Sequence, residues 1–186
     1  MRTTDAIQAR RSIKRFTDRP ISREEIESLL DAAALAPNHR LTQPWRFYVL
    51  GPEARYAYGL ALGERKARKL TDPEAGLRLR DSVAKEHRAL PCMIVVAVVD
   101  NADPEIREED YAATMMAIEN LALAAVEREL GTHLKTGGVM KDEAARAAAG
   151  VKPNERIVAV VNLGQPAETP PPKKRQAAAA LTTWVP

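Results

Sequence analysis

The chain has 186 residues, which is enough for one domain with a substantial core, and nothing in its length requires a second domain. Its 28 lysines and arginines are interleaved with 25 acidic residues, so the net charge of +3 does not argue for a nucleic-acid partner. The N-terminus lacks the apolar stretch of a secretory signal, and the longest apolar helical segment contains Glu119 and Asn120. We therefore expect a soluble cytoplasmic protein without a membrane span.

Two amphipathic helices are predicted before the first strand. The first begins within the opening residues and ends near Arg10. The second covers about 22–35, because Ser22 and Glu25 match a capping box and apolar residues then recur on one helical face until Pro37.

The middle of the chain predicts two strands with charged helical sequence between them. Residues 46–50 are rich in strand formers and stop at a Gly-Pro pair. Residues 53–90 predict one or two helices broken around 71–73, and their role is not legible from the sequence. The continuously apolar run 92–99 predicts a central strand covered on both faces, in which Cys92 is a buried small hydrophobe.

The last third predicts a long helix and one more strand. The helix lies between about 105 and 130, with Gly131 as its C-cap, and the strand covers 156–164. From about residue 167 the proline-rich sequence predicts an extended tail. Three strands separated by helices of unequal length favour an α+β or three-layer fold over a doubly wound sheet.

Several catalytic signatures are absent from the sequence. It has no Gly-x-Gly-x-x-Gly segment after a strand, no Walker loop and no Gly-x-Ser-x-Gly elbow. His39, His87 and His133 share no metal-ligand spacing with one another or with Cys92, so no metal site is predicted.

The segment 10–16, Arg-Arg-Ser-Ile-Lys-Arg-Phe, can be interpreted in two ways. Arginine side chains hold phosphate well because the guanidinium group offers a planar fork of donors, and Ser12 adds a hydroxyl. The same cations are also typical of a solvated helix C-terminus, where the helix dipole favours positive charge. The residues alone leave both interpretations open.

The order of the motifs resembles the nitroreductase family of flavin enzymes over almost the whole chain. The matching segments are the basic run 10–16, the loop and Gln-Pro-Trp motif at 36–45, the strand 92–99, the loop 134–138 and the segment 163–166. The short chain and its Pro-Asn-His loop are most similar to the small bacterial members. The resemblance implies a single α+β domain over 1–186, in which helices flank a central mixed or antiparallel sheet in three layers. It also implies a homodimer with shared active sites.

The resemblance further implies that the cofactor is FMN, held by side chains from several segments. The resemblance implies that the FMN phosphate and ribityl chain contact Arg10, Arg11 and Ser12. Lys14 matches a lysine near the pyrimidine edge of the flavin. The C-terminal Lys173 and Arg175 resemble a phosphate clamp, which is geometrically reasonable because residues two apart in an extended chain face one side. An exposed basic tail is the alternative interpretation of these two residues.

Other contacts are implied around the flavin ring. The loop after the long helix is implied to lie along the isoalloxazine ring and consists of Leu134, Lys135, Thr136 and Gly137. Asn38 and His39 are implied to reach the flavin from the partner subunit, although two small hydroxyl residues are commoner there, and Leu41 replaces a common Asn. Gln43 is a further candidate contact, while the Gln-Pro-Trp motif can also be structural, with Trp45 in the core.

The activity implied by the resemblance is electron transfer rather than attack by a side-chain nucleophile. FMN would take a hydride from NADH or NADPH and pass electrons to a nitroaromatic, quinone or similar electron-poor acceptor in a ping-pong scheme. Two alternatives stay open: a flavoenzyme of the same fold that performs reductive dehalogenation or flavin fragmentation, and a non-enzymatic basic interaction protein.

Overall fold

The computed structural model describes all 186 residues, Met1–Pro186. It contains six α-helices and four β-strands, with short 3-10 turns at 39–41, 138–141 and 178–181. In chain order the elements are α1 (Thr3–Ala9), α2 (Arg23–Ala34), β1 (Trp45–Val49), α3 (Pro52–Ala67), α4 (Pro73–Arg88), β2 (Cys92–Val99), α5 (Pro104–Glu127), β3 (Gly131–Lys135), α6 (Glu143–Ala148) and β4 (Glu155–Gly164).

The four strands form one sheet in the order β1-β2-β4-β3, and every neighbouring pair is antiparallel. The apolar run of β2 is buried along almost its whole length, as expected for an interior strand. β4 lies beside it and is also buried, apart from Arg156. The α+β prediction is confirmed, and the sheet is antiparallel rather than mixed.

Helices cover both faces of this sheet, which gives the predicted three layers. Side chains of α2 and α5, such as Leu29 and Leu121, pack on one face against alternate residues of β2 and β4. Side chains of α3 and α6, such as Tyr58 and Ala145, pack on the opposite face. Since successive strand residues point to opposite faces, the single apolar run of β2 supplies both cores.

Most predicted elements are confirmed within one to three residues. α2 begins after Ser22, whose hydroxyl accepts a hydrogen bond from the Glu25 N–H while the Glu25 carboxylate accepts one from the Ser22 N–H. The region 53–90 forms two helices with a break at the predicted position, where the Asp72 side chain caps α4. Cys92 and Trp45 are buried, as predicted. No helix combines the length and the apolar character that crossing a membrane requires.

Two predictions near the end of α5 were wrong. The sequence predicted three strands and a loop over 134–138, but β3 occupies 131–135 and pairs with β4. Gly131 is therefore not the C-cap of α5; the helix ends at Glu127, and Glu129 adopts the left-handed conformation instead. A glycine is needed at 131 for another reason, because a Cβ there would lie 2.3 Å from Ile13 Cγ1. Tertiary packing against residue 13 thus explains a glycine that the sequence suggested was a helix stop.

Candidate functional site

The basic segment 10–16, called the strap below, is hydrogen-bonded to the free edge of β3. Ser12 forms a parallel bridge with Thr132, and the Ile13 N–H donates a hydrogen bond of 2.9 Å to the Thr132 carbonyl oxygen. At the far end Phe16 pairs with Pro166. Ile13 is only 3% exposed, so the strap is anchored by apolar burial as well as by backbone hydrogen bonds.

This docking brings together two groups of predicted site residues. The strap carries Lys14, and Lys135 is the last residue of β3, directly before the loop. The charges of both lysines act on His133 of β3: burial first, then repulsion from Lys135 and Lys14, lowers its pKa. Because Ser12 pairs with Thr132, the strap and the end of β3 run side by side and bring Lys14 and Lys135 to the same edge of the sheet.

Arg10 and Arg11 of the strap line a surface cavity of about 430 Å³ together with Thr132 and Gln165. The Arg11 guanidinium donates hydrogen bonds of 2.6 and 2.8 Å from Nη1 to the carbonyl oxygens of Gln8 and Arg10, while its buried Nε has no partner. Arg10 forms a 3.5 Å ion pair with Glu119, whose side chain is largely exposed. Exposed pairs of this kind contribute little, so a bound anion can replace the Glu119 carboxylate as the partner of Arg10.

The loop 38–43 is held in an unusual conformation of its own. The Gln43 N–H donates a 2.6 Å hydrogen bond to Asn38 Oδ1, and Asn38 Nδ2 donates to the Thr42 hydroxyl. Arg40, Leu41 and Gln43 all have positive φ angles, between 44° and 64°, which non-glycine residues adopt only at some cost. His39 is exposed at the surface of this loop.

Contacts with α5 keep this loop away from the strap within one protomer. Arg40 forms ion pairs with Glu105 and Glu109 in the first half of α5, whereas Arg10 of the strap pairs with Glu119. Ten helical residues separate positions 109 and 119, which corresponds to about 15 Å along the axis. Asn38, His39 and Gln43 thus do not meet the strap of their own chain.

The C-terminal tail begins next to the strap and then leaves the rest of the chain. The Ala167 N–H donates to the Arg15 carbonyl oxygen, and Arg15 also forms an ion pair with Glu168. Beyond Glu168 no hydrogen bond or ion pair joins the tail to the body, and Lys173 and Arg175 are exposed. Within one chain these two residues do not reach Arg10, Arg11 or Ser12.

Two residues at this surface were not predicted. Thr132 pairs with Ser12, and Arg65 of α3 lies against Gly138 at the end of the loop 134–138. The sequence after Gly131, Thr-His-Leu-Lys, does not alternate between apolar and polar residues, so it gave no signal for β3 or for Thr132. No local signal points to Arg65, because its contact joins segments more than seventy residues apart.

A family model and a sequence relative both identify the family of this chain. The model of the nitroreductase family matches residues 7–165. The protein YfhC of Bacillus subtilis, provisionally named an NAD(P)H nitroreductase, is 32% identical over 169 residues, covering 89% of this chain and 85% of the relative. The chain therefore belongs to the nitroreductase family.

Solved structures show the same fold. A nitroreductase-like protein from Bacillus cereus superposes with a TM-score of 0.85 at 27% identity, covering 100% of this chain and 96% of that one. A provisionally named nitroreductase from Desulfovibrio desulfuricans, solved in complex with FMN, gives a TM-score of 0.73 at 25% identity over 99% and 96% of the two chains. The resemblance stated from the motifs is confirmed at the level of family and fold.

Proposed function

We propose that this protein is an FMN-dependent oxidoreductase that transfers electrons from NADH or NADPH to nitroaromatic, quinone or similar electron-poor acceptors. The observation that carries the proposal is the docking of the strap on β3, which joins Arg10, Arg11 and Ser12 with the loop at Lys135 in one cationic surface. Family membership and the FMN-bound relative from Desulfovibrio desulfuricans support the same conclusion.

The residues at the strap fit a phosphorylated cofactor. A phosphate group requires charge-assisted donors, and Arg10 and Arg11 supply two guanidinium groups, of which that of Arg11 has a buried Nε without a partner. The Ser12 hydroxyl is exposed beside them, so it is available as a further donor. FMN, when bound, supplies the two-electron redox chemistry, and the protein supplies binding, orientation and electrostatics.

The roles of this chain's residues follow from their charges and positions. Arg10 and Arg11 would hold the phosphate, while Lys14 and Lys135 would stabilise negative charge on the ring system. The backbone of Thr136 and Gly137 would lie along the ring. No side chain acts as a nucleophile in the proposed reaction, and burial raises the pKa of the Cys92 thiol to about 11, which keeps it protonated and unreactive.

The proposal is tested on the purified protein. We expect a yellow protein that releases FMN on denaturation, and anaerobic oxidation of NADH or NADPH only when an acceptor such as a nitroaromatic or a quinone is present. Parallel lines in double-reciprocal plots of the initial rate, measured at several concentrations of the second substrate, would support a ping-pong mechanism. A protein that binds no FMN, but binds nucleic acid with a steep salt dependence, would instead be a basic interaction protein.

We further propose that residues 1–186 act as one domain in a homodimer whose partner supplies Asn38 and His39 to the flavin site. The separation of this loop from the strap along α5 supports an arrangement in which the two segments come from different subunits. Exposed apolar side chains also support it, since Leu41 is 79% and Trp184 90% exposed in one chain. Light scattering that gives a monomeric mass at micromolar concentration, with full FMN occupancy, would contradict the dimer.

A cytoplasmic location is proposed together with this activity. The chain has one cysteine, Cys92, which is buried and unpaired, and free thiols of this kind are typical of proteins in a reducing compartment. Fractionation of the native host that finds the protein outside the cytoplasm would contradict this proposal.

A further inference from the structure

The last turn of α3 carries two adjacent cations, preceded by Glu64, that form no ion pair with any carboxylate. Arg65 and Lys66 are exposed, and neither takes part in an ion pair or a side-chain hydrogen bond. The neighbouring helix α4 differs, because its Arg78 and Arg88 each pair with a carboxylate at 3.7 Å or less. Arg65 and Lys66 near the end of α3 are therefore unpaired, whereas the arginines of α4 are all paired.

The Arg65 side chain lies against the loop that follows β3. A Cβ built on Gly138 would lie 2.1 Å from Arg65 Nη2 and 2.6 Å from Arg65 Cζ, so the guanidinium group occupies the space that any other residue at 138 would fill. The helix dipole favours cations in the last turn of α3 but does not explain this contact with a distant loop. The guanidinium group thus lies beside the segment that the proposed function assigns to the flavin ring.

Lys66 and Lys135 add to the same positive surface. Lys135 is half-buried, and its pKa is lowered by burial first and by repulsion from Lys66 second. Glu86 acts in the opposite direction, but its carboxylate accepts a hydrogen bond from Ser82 and forms no ion pair with either lysine. Repulsion from Lys66 therefore acts more strongly on Lys135 than attraction by Glu86 does.

We propose that Arg65, Lys66 and Lys135, called the α3 cation cluster, bind an anionic group of a substrate, a carboxylate or a phosphate. This inference rests on the proposed function, because the cluster borders the loop 135–138 beside which the reacting ring would lie. A Cβ built on Gly137 would meet no atom within 4 Å, so the space next to the cluster is open. The nicotinamide dinucleotide and a carboxylated acceptor both carry suitable groups, and charge-assisted hydrogen bonds to Arg and Lys would recognise either.

The test compares Arg65→Gln and Lys66→Gln with the control Arg78→Gln, which removes a paired cation from the same hairpin. The dissociation constants of NADP⁺ and NAD⁺ are measured on the oxidised holoprotein, and KM values are measured for 4-nitrobenzoate and nitrobenzene. If the cluster takes the extra phosphate of NADP⁺, its dissociation constant rises about tenfold in the cluster variants while that of NAD⁺ stays within twofold. If it takes a carboxylate, the KM for 4-nitrobenzoate rises by a similar factor while that for nitrobenzene does not.

A second variant checks the position of the guanidinium group rather than its charge. Gly138→Ala places a methyl group in the space of the Arg65 side chain, so we expect the same ligand to weaken in the same direction. The inference would be overturned if the dissociation constants and KM values changed equally for charged and neutral ligands, or if they changed in no variant. Loss of FMN from the cluster variants would also overturn it. A wild-type protein that binds no FMN would contradict the proposed function and overturn this inference with it. If the wild type is active and the variants weaken charged and neutral ligands equally, this inference alone is overturned.

Discussion

The strap and the C-terminal tail are both basic and extended, yet the structure fixes only one of them. The strap is bonded to β3 through Thr132 and buries Ile13 at 3% exposure. The tail has no hydrogen bond or ion pair to the body after Glu168, and its Trp184 is 90% exposed. Both segments resemble phosphate-binding segments of the family, so the sequence alone treats them as equivalent.

The difference shows what anchors an extended segment. A strand edge satisfies the backbone groups of the strap, and a buried apolar side chain adds the free energy that orders it. The tail offers cations and apolar side chains but has no surface of its own chain to occupy. If Lys173 and Arg175 take part in a site, that site must include a second subunit.

The largest expected effect comes from removing the anchor of the strap. Ile13→Ala should lower the free energy of unfolding by about 2–5 kcal/mol, because a buried aliphatic side chain is lost at the contact with Gly131. Urea denaturation of the apoprotein measures this, with Ile7→Ala as the control, since Ile7 is 55% exposed. Equal losses in the two variants would mean that the strap is no better anchored than the surface of α1.

The next effect concerns the charge that the strap carries. Arg10→Ala should weaken FMN binding by roughly ten- to a hundredfold, because the phosphate loses a charge-assisted hydrogen bond. Quenching of flavin fluorescence measures the dissociation constant. Arg2→Ala is the control, as Arg2 pairs with Asp5 at the exposed start of α1. An unchanged FMN affinity in Arg10→Ala would remove Arg10 from the proposed site.

A smaller effect is expected in the tail. Replacing Lys173 and Arg175 together by alanine should weaken FMN binding about tenfold or less, provided that the protein is dimeric. Lys174→Ala is the matched control, because the middle residue of three in an extended chain faces the opposite side. The free energy of unfolding should not change in either variant. If Lys174→Ala weakens FMN binding as much as the double variant, the tail contributes only general positive charge.

The smallest effect is a shift in the titration of His133. Burial and the charges of Lys135 and Lys14 lower the pKa of His133 in the folded state. The neutral form is therefore favoured on folding, so this contribution to stability is present above the unfolded pKa near 6.5 and is lost as the pH falls towards the folded pKa. Lys14→Met should raise the pKa of His133 in an NMR titration, whereas Lys174→Met should leave it unchanged. A shift of the same size in both variants would place the tail near His133 and contradict its exposure in one chain.

Much of the fold could be predicted because its elements carry local signals. The capping box at Ser22 marks the start of α2, and the continuous apolar run of β2 predicts its interior position. β3 was missed because it has only five residues and follows a helix without a clear turn. Gly131 was then assigned to the helix terminus, although the packing of Ile13 is what requires it.

Part of the candidate site could be predicted, but from resemblance to a family rather than from local signals. The strap residues and the loop 134–137 were identified by their resemblance to a family, and the structure joins them through the pairing of Ser12 with Thr132. The contact between Arg65 and Gly138 carries no sequence signal, because it depends on where α3 ends relative to the edge of the sheet.

The sequence by itself determined the helices, the interior strand, the family and the residues that resemble flavin contacts, since these follow from local periodicity and motif order. Only the tertiary structure decided that the strap joins the edge of β3, that the loop 38–43 docks on the other half of α5, and that Arg65 and Lys66 extend the charged surface. These arrangements depend on backbone pairing and packing between segments that are distant in the chain, and no short stretch of sequence contains that information.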